Sequence, residues 1–340
     1  MNWTKGISAS YFMTIVDPET WLDTESVKIT GGSIKKTVSG LRESATINTS
    51  GYNISKETWI RVYMIAKQGG GSERVPLFTG LASVPTDRRR GRVVSTTLEC
   101  FSVLGHIDDV LLPRGWNAPV ATNVLVLIRD LFKKVCKAPV YIEEVDEPPL
   151  LKDNAIVAEG GETYLTMIEK LLVVIEWRLK IGGDGTIYIL PMAKDETVVF
   201  DSVGYDIIDT SSDIGYEFDS TSCPNVFRAV MNDSYAIAKD ERDDSPYSIQ
   251  NRGREVWVEE SNVSLSDKET LSDYAIRRLK ELQNTTQTIS YDRRFVPDIY
   301  PSDILRLNYP AQDLVGMFLI TTQDIELSYG AKVTEEVTKI

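Results

Sequence analysis

The sequence predicts a β-rich α+β protein in which two strand-dominated parts flank a small α+β insert. Three observations carry this. Residues 7–110 break into apolar runs every 8–15 residues, separated by glycine-rich turns. Residues 114–195 hold two stretches of helical periodicity. From about residue 196 the strand texture returns, with one further helix. The boundaries read from these changes are 1–113, 114–195 and 196–340.

In the first part, "SASYFMTIVD" is rich in β-branched and aromatic residues and stops at the turn Asp17-Pro18. "SVKITGGSIKKTVSG" gives two short runs around Gly31-Gly32. "TWIRVYMIA" alternates, with Trp59, Arg61 and Tyr63 on one face and Ile60, Val62 and Met64 on the other. Gly69 to Ser72 then marks a hairpin tip before "VPLFTGLASV". "RVVSTTLECFSV" follows the basic run Arg88-Arg89-Arg90-Gly91-Arg92. Such spacing fits an antiparallel barrel or sandwich.

In the insert, Val124, Leu127, Ile128, Leu131 and Val135 form one helical face, and Leu165, Ile168, Leu171, Leu172 and Ile175 form another. The second helix runs into "WRLKIGGDGTIYILP", where Leu179 and Ile181 alternate before Gly182-Gly183-Asp184-Gly185 and Ile187 and Ile189 alternate after. This predicts a hairpin whose glycines supply positive φ. In the last part, "SDKE" reads as a capping box opening a helix over residues 266–283.

The composition narrows the chemistry. Apolar residues make up 42% and charged residues 26%, ordinary for a globular chain. No apolar run reaches the roughly 18 residues of a membrane span, so insertion of this chain into a membrane is not expected. The start, "MNWTKGISASYF", lacks a signal-peptide pattern, and Cys100, Cys136 and Cys223 form no disulfide framework. Folding in a reducing cytoplasm is expected. The net charge of -13 disfavours nucleic-acid affinity. A single histidine, His106, excludes the usual zinc sets, and no nucleophile elbow surrounds it. No catalytic, cofactor or metal residues are assigned. Glu143, Glu144, Asp146 and Glu147 could pair as glycosidase acids but lie in a proline-bearing loop. Around Asp184 there is neither a calcium-loop pattern nor a phosphate loop, because "GGDGTIYI" opens a strand.

Three phrases, taken in order, carry a resemblance. They are "WIRVYMIAKQGGGSERVPLFTGLASVPTDRRRGR", "CFSVLGHIDDVLLPRGWNAP" and "DIYPSDILRLNYPAQDLVGMFLITTQDIELSYGAKVTEEV". The chain resembles the baseplate hub proteins of bacteriophages and phage-tail-like bacteriocins, a group related to the hub of contractile tails and the base of type VI secretion spikes. The resemblance implies two tube-like antiparallel β-barrel domains separated by the insert. It also implies a homotrimer whose pseudo-sixfold ring joins a hexameric tail tube to a trimeric spike and meets other baseplate components. Its place would be the tail baseplate, assembled in the host cytoplasm, with DNA passing unbound and no cofactor.

Under that reading an acidic lumen is expected. The stretch 201–223 contains no lysine or arginine, so Asp206, Asp209, Asp213 and Glu217 are the lumen candidates. Arg88, Arg89, Arg90 and Arg92 are candidates for a subunit contact. Two other functions compete: a tail-associated cell-wall hydrolase, and a distal-tail or host-recognition binding protein. The second would carry an exposed aromatic groove.

Overall fold

In the computed structural model the described residues are all of 1–340 except 4, 51, 53, 55, 84–85, 91–92, 153–154, 193–197, 202–207, 209–213, 219–220, 285–286 and 313. The first unit comprises β1 (Ser8–Val16), β2 (Asp23–Thr37), β3 (Glu43–Ser50), β4 (Thr58–Gln68), β5 (Gly71–Ala82), β6 (Thr86–Arg90) and β7 (Val93–Ser102). The order β1-β4-β5-β7-β3-β2 closes on itself through β1–β2, giving a six-stranded antiparallel barrel. Burying one face of each strand drives closure, which leaves no unpaired edge inside the ring. Met13, Ile34, Ile47, Ile60, Phe78 and Leu98 fill the interior and are fully buried.

The insert comprises α1 (Gly105–Asp108), β8 (Asn117–Ala118), α2 (Val124–Val135), β9 (Val140–Ile142), β10 (Ile156–Val157), α3 (Tyr164–Val174), β11 (Trp177–Ile181) and β12 (Ile187–Pro191). Asn123 caps α2 by accepting from the Leu125 and Val126 amides, and Thr163 caps α3 through the Thr166 amide. Both helices lay their apolar stripes on the sheet β11-β12-β9. Glu176 takes a positive φ of 56°, turning the chain from α3 into β11.

The last part begins with β13 (Val198–Asp201) and β14 (Gly215–Phe218). Next come β15 (Val226–Met231), β16 (Ser234–Lys239), α4 (Ile249–Arg252), β17 (Trp257–Glu260) and α5 (Leu271–Asn284). The chain finishes with β18 (Gln287–Arg294), β19 (Ile304–Tyr309), β20 (Leu314–Glu326) and β21 (Lys332–Lys339).

Two expectations are corrected here. The third helix is expected within the C-terminal barrel part. Instead α5 packs on the separate sheet β16-β15-β17, with its own core of Phe227, Ala229, Val263, Leu265, Tyr274 and Leu279. The helix also begins at Leu271 rather than residue 266. The working cap is Thr270, whose hydroxyl accepts from the Asp273 amide at 3.2 Å while the Asp273 carboxylate accepts from Thr270. Glu269 is occupied elsewhere, paired with Arg277 at 2.8 Å.

The remaining strands form the sheet β13-β19-β20-β21-β18-β14, over a core that includes Tyr291, Leu305, Leu307, Phe318, Ile320 and Val337. Among the described residues no pairing closes it into a second barrel. It joins the first barrel through β2–β20, where Ser33 to Thr37 pair with Glu326 to Thr322.

Candidate functional site: a docked hairpin and a polar wall

The hairpin β11–β12 is the joint of the molecule. Its turn is closed by the Gly185 amide donating to the Gly182 carbonyl at 2.8 Å. Only Gly185 takes a positive φ, 82°, so the expectation that the whole glycine group supplies positive φ is corrected. Gly183 is small for a different reason. A Cβ there would lie 2.0 Å from the Pro76 carbonyl oxygen on β5. The turn is pressed into the first barrel.

Three polar contacts hold it. Thr79 Oγ1 donates to the Gly183 carbonyl at 2.9 Å. Trp21 Nε1 and Arg61 Nη2 both donate to the Asp184 carbonyl at 3.0 Å. Arg61 is buried and also reaches Thr79 Oγ1 at 3.0 Å and Asp23 at 2.8 Å. The alternation in β4 therefore has two buried faces: Ile60, Val62 and Met64 face the barrel core, and Arg61 faces the hairpin. The Asp184 carboxylate accepts from the amide and hydroxyl of Thr186, so it is used inside its own loop. Among the described residues no group of three or more His, Cys, Asp or Glu could hold a metal.

The same hairpin grips the C-terminal part. Arg178 and Lys180 each reach the fully buried Asp303 at 3.0 Å. Lys180 lies 4.3 Å over the Tyr300 ring. Burial lowers the Lys180 pKa, and Asp303 opposes that shift.

The second feature is a continuous antiparallel wall in the order β6-β7-β3-β2-β20-β21-β18-β14. One row of directly paired residues runs Phe101, Ser44, Lys35, Asp324, Thr334 and Asp292, across six strands. The inner side of the wall is core. The opposite side is lined by short polar residues, among them Ser33, Ser44, Thr46, Asn48, Thr97, Thr322, Thr334 and Ser290. On the seven strands β7-β3-β2-β20-β21-β18-β14 its charges are Glu99, Glu217, Asp292, Asp324, Glu326 and Glu336 against Lys35, Arg294 and Lys332. Lys332 is neutralised by Asp292 at 2.8 Å. Thr46 bonds Glu99 at 3.1 Å, Thr97 bonds Asn48 at 3.0 Å, and Thr334 bonds Asp292 at 2.7 Å. On these strands the face is thus polar, hydrogen-bonded to itself and net acidic.

The sequence candidates distribute as follows. Glu217 lies exposed on β14, at the end of this wall. Asp206, Asp209 and Asp213 lie outside the described residues. Arg88, Arg89 and Arg90 lie on β6 at the opposite end, where Arg88 pairs with Ser95; Arg92 lies outside the described residues. Glu143, Glu144, Asp146 and Glu147 are all exposed in their loop. His106 sits edge-on to Trp59 at 5.3 Å, and burial lowers its pKa. Burial pushes the Cys136 thiol up to about 11 and raises Cys100 as well. Sequence reasoning missed the acids at 99, 292, 324, 326 and 336 because they are scattered one or two per strand.

No protein-family profile and no curated protein sequence matches the chain. Solved structures share the fold over nearly its whole length. A tail protein from Neisseria meningitidis MC58 superposes with a TM-score of 0.72 at 12% identity, covering 98% of this chain and 96% of that one. The 43 kDa tail protein of prophage MuSo2 from Shewanella oneidensis gives 0.68 at 13% identity, covering 98% of each chain. An Escherichia coli component of the type VI secretion system, described as structurally similar to T4 phage tail proteins, gives 0.54 at 8% identity, covering 92% of this chain and 74% of that one. The chain therefore has the fold of phage tail and type VI secretion spike-related proteins.

Proposed function

We propose that the chain is a structural hub component of a phage-type tail baseplate. Three copies form a ring that joins the tail tube to the spike, and the polar wall lines its lumen. The observation that carries this is the wall itself: one face is core, and the other is short, polar and net acidic across seven strands. Such a face suits a passage for nucleic acid. Lysine and arginine contacts to phosphates would hold DNA through counterion release, and carboxylates avoid this. The shared fold with tail proteins supports the same reading. On this reading the chain works without catalysis or a cofactor. Its partners are further copies of itself, the tube, the spike and neighbouring baseplate parts, and its location is the tail baseplate.

The test is the mass of the purified chain by light scattering across a concentration series, alone and with its tube partner. A three-copy species is expected. A chain that stays single under every condition would overturn the ring.

A further inference from the structure

The insert sheet β11-β12-β9 is covered on one face and half open on the other. Helices α2 and α3 pack on the face of Ile181, Ile187 and Ile189. The other face carries the row Lys180, Tyr188 and Tyr141, paired across the three strands. Over β11 this face is closed, because Asp303 holds Arg178 and Lys180. Over β12 and β9 it is open. A groove of about 440 Å³ lies there, between Pro76 of the barrel, Tyr188 and Leu190 of the sheet, and Asp298 and Tyr300 of the C-terminal part. Tyr141 stands beside it, 50% exposed, its ring centre 5.8 Å from that of Tyr188.

The charge around this face is one-sided. Alternation along β9 continues to Glu143, whose amide donates to the Ile189 carbonyl at 3.0 Å, so Glu143 follows Tyr141 on the open side. Glu144, Asp146 and Glu147 come next in the same loop, and all four are exposed. Asp298 is exposed at the groove. Among the described residues none of these five carboxylates forms a salt bridge. Lys268 reaches the Glu147 backbone carbonyl at 2.9 Å and offsets one of them.

An aromatic surface rimmed by unpaired carboxylates attracts a cation in two ways. The ring faces draw the charge, and the carboxylates pair with it. We propose that the open half of the insert sheet docks a lysine- or arginine-bearing segment of a partner protein, with a cation over the Tyr141–Tyr188 pair and further cations on Glu143 and Glu144. A neutral segment would use the rings and leave the carboxylates idle, and an acidic one would be repelled. The docking face is complete within one chain, so it goes beyond the ring and does not depend on it.

The experiment uses the full chain and a short fluorescent peptide of alternating lysine and threonine, read by anisotropy at low salt. The peptide should bind, and a glutamate–threonine peptide should not. Tyr141→Ser should weaken binding about two- to fivefold, the loss of one exposed cation–π contact. Tyr141→Phe keeps the ring and should bind as the wild type does. Glu143→Gln with Glu144→Gln should weaken binding at least about twofold and flatten its salt dependence. Glu326→Gln with Glu336→Gln makes the same charge change on the polar wall and should leave binding unchanged. No binding of the lysine peptide, or equal weakening by the wall and loop changes, overturns the proposal; the second result would mean diffuse attraction to an acidic chain. Tighter binding of chitotetraose than of the lysine peptide would make the face a sugar platform and overturn it too. If Tyr141→Ser abolishes self-association while the wild type ignores the peptide, the face belongs to a second copy and the proposal is wrong. Whether three copies form a ring is decided separately, by the light-scattering series.

Discussion

Strands β7, β3 and β2 belong to a barrel closed within one chain, whereas β20, β21 and β18 belong to a sheet whose last strands, among the described residues, are β13 and β14. Both halves present the same polar face, yet they are held differently behind it. The first half rests chiefly on apolar packing around Ile34, Ile47, Phe78 and Leu98, with one buried ion pair, Lys36–Glu43, across β2 and β3. The second half adds a buried polar cluster. Glu335 accepts from Arg293 at 2.9 Å, Tyr291 at 2.8 Å and Gln323 at 2.7 Å, and Arg293 and Glu335 hardly reach solvent. A closed barrel sets its own strand positions. In the second half a one-residue slip of β21 on β18 would separate Glu335 from Arg293 and strand both charges. The difference teaches that a single cross-strand pair serves the half closed within the barrel, whereas three side chains converge on one buried carboxylate to fix register in the other.

Five variants break or sharpen that contrast. Glu335→Ala leaves Arg293 buried alone and is expected to cost about 3–5 kcal/mol in urea unfolding. The double change Arg293→Met with Glu335→Leu should recover most of that loss in stability, while increasing exchange of β18 and β21 amides if the cluster sets register. Gly183→Ala comes next. The new methyl meets the Pro76 carbonyl, so the hairpin must shift, at a cost of about 1–3 kcal/mol. Hydrogen exchange should rise at the Gly182–Gly185 turn and leave the β18–β21 ladder unchanged. Thr270→Ala tests the corrected helix start and should cost about 1 kcal/mol, whereas Ser266→Ala should cost less as a cap.

The smallest effect is one of pH. Burial lowers the His106 pKa, so the folded state holds the neutral ring and the unfolded chain binds the proton more readily. The stability this lends is complete above the unfolded value of about 6.5 and is lost as pH falls below it. Because His106 is the chain's single histidine, its imidazole resonance can be followed alone. A folded-state titration above pH 6.5 would contradict the burial argument. His106→Phe should remove the pH dependence within this window.

Local features were legible in the sequence, and long-range ones were not. The turn at Gly182–Gly185 was readable because alternation on both sides leaves only a hairpin. Its docking partners Trp21, Arg61, Pro76 and Thr79 were not readable, since nothing in a strand sequence says what covers its second face. The helix of residues 271–284 was visible, but two overlapping caps competed. Ser266 and Glu269 lost because Arg277 takes the Glu269 carboxylate. The junction of Ser33–Thr37 with Glu326–Thr322 spans almost the whole chain, and alternation sets which face each residue takes but not which strand lies alongside. For the same reason the contiguous acids of 201–223 are visible in the sequence, while Glu99, Asp292, Asp324, Glu326 and Glu336 gather only once the strands are paired.

The central claim is that the polar wall faces a shared lumen. An electron cryo-microscopy reconstruction of the assembled chain tests it most directly. The account predicts a threefold ring with Glu99, Asp324, Glu326 and Glu336 facing the central channel. A ring in which those four carboxylates face outward, or are covered by another protein, would contradict it.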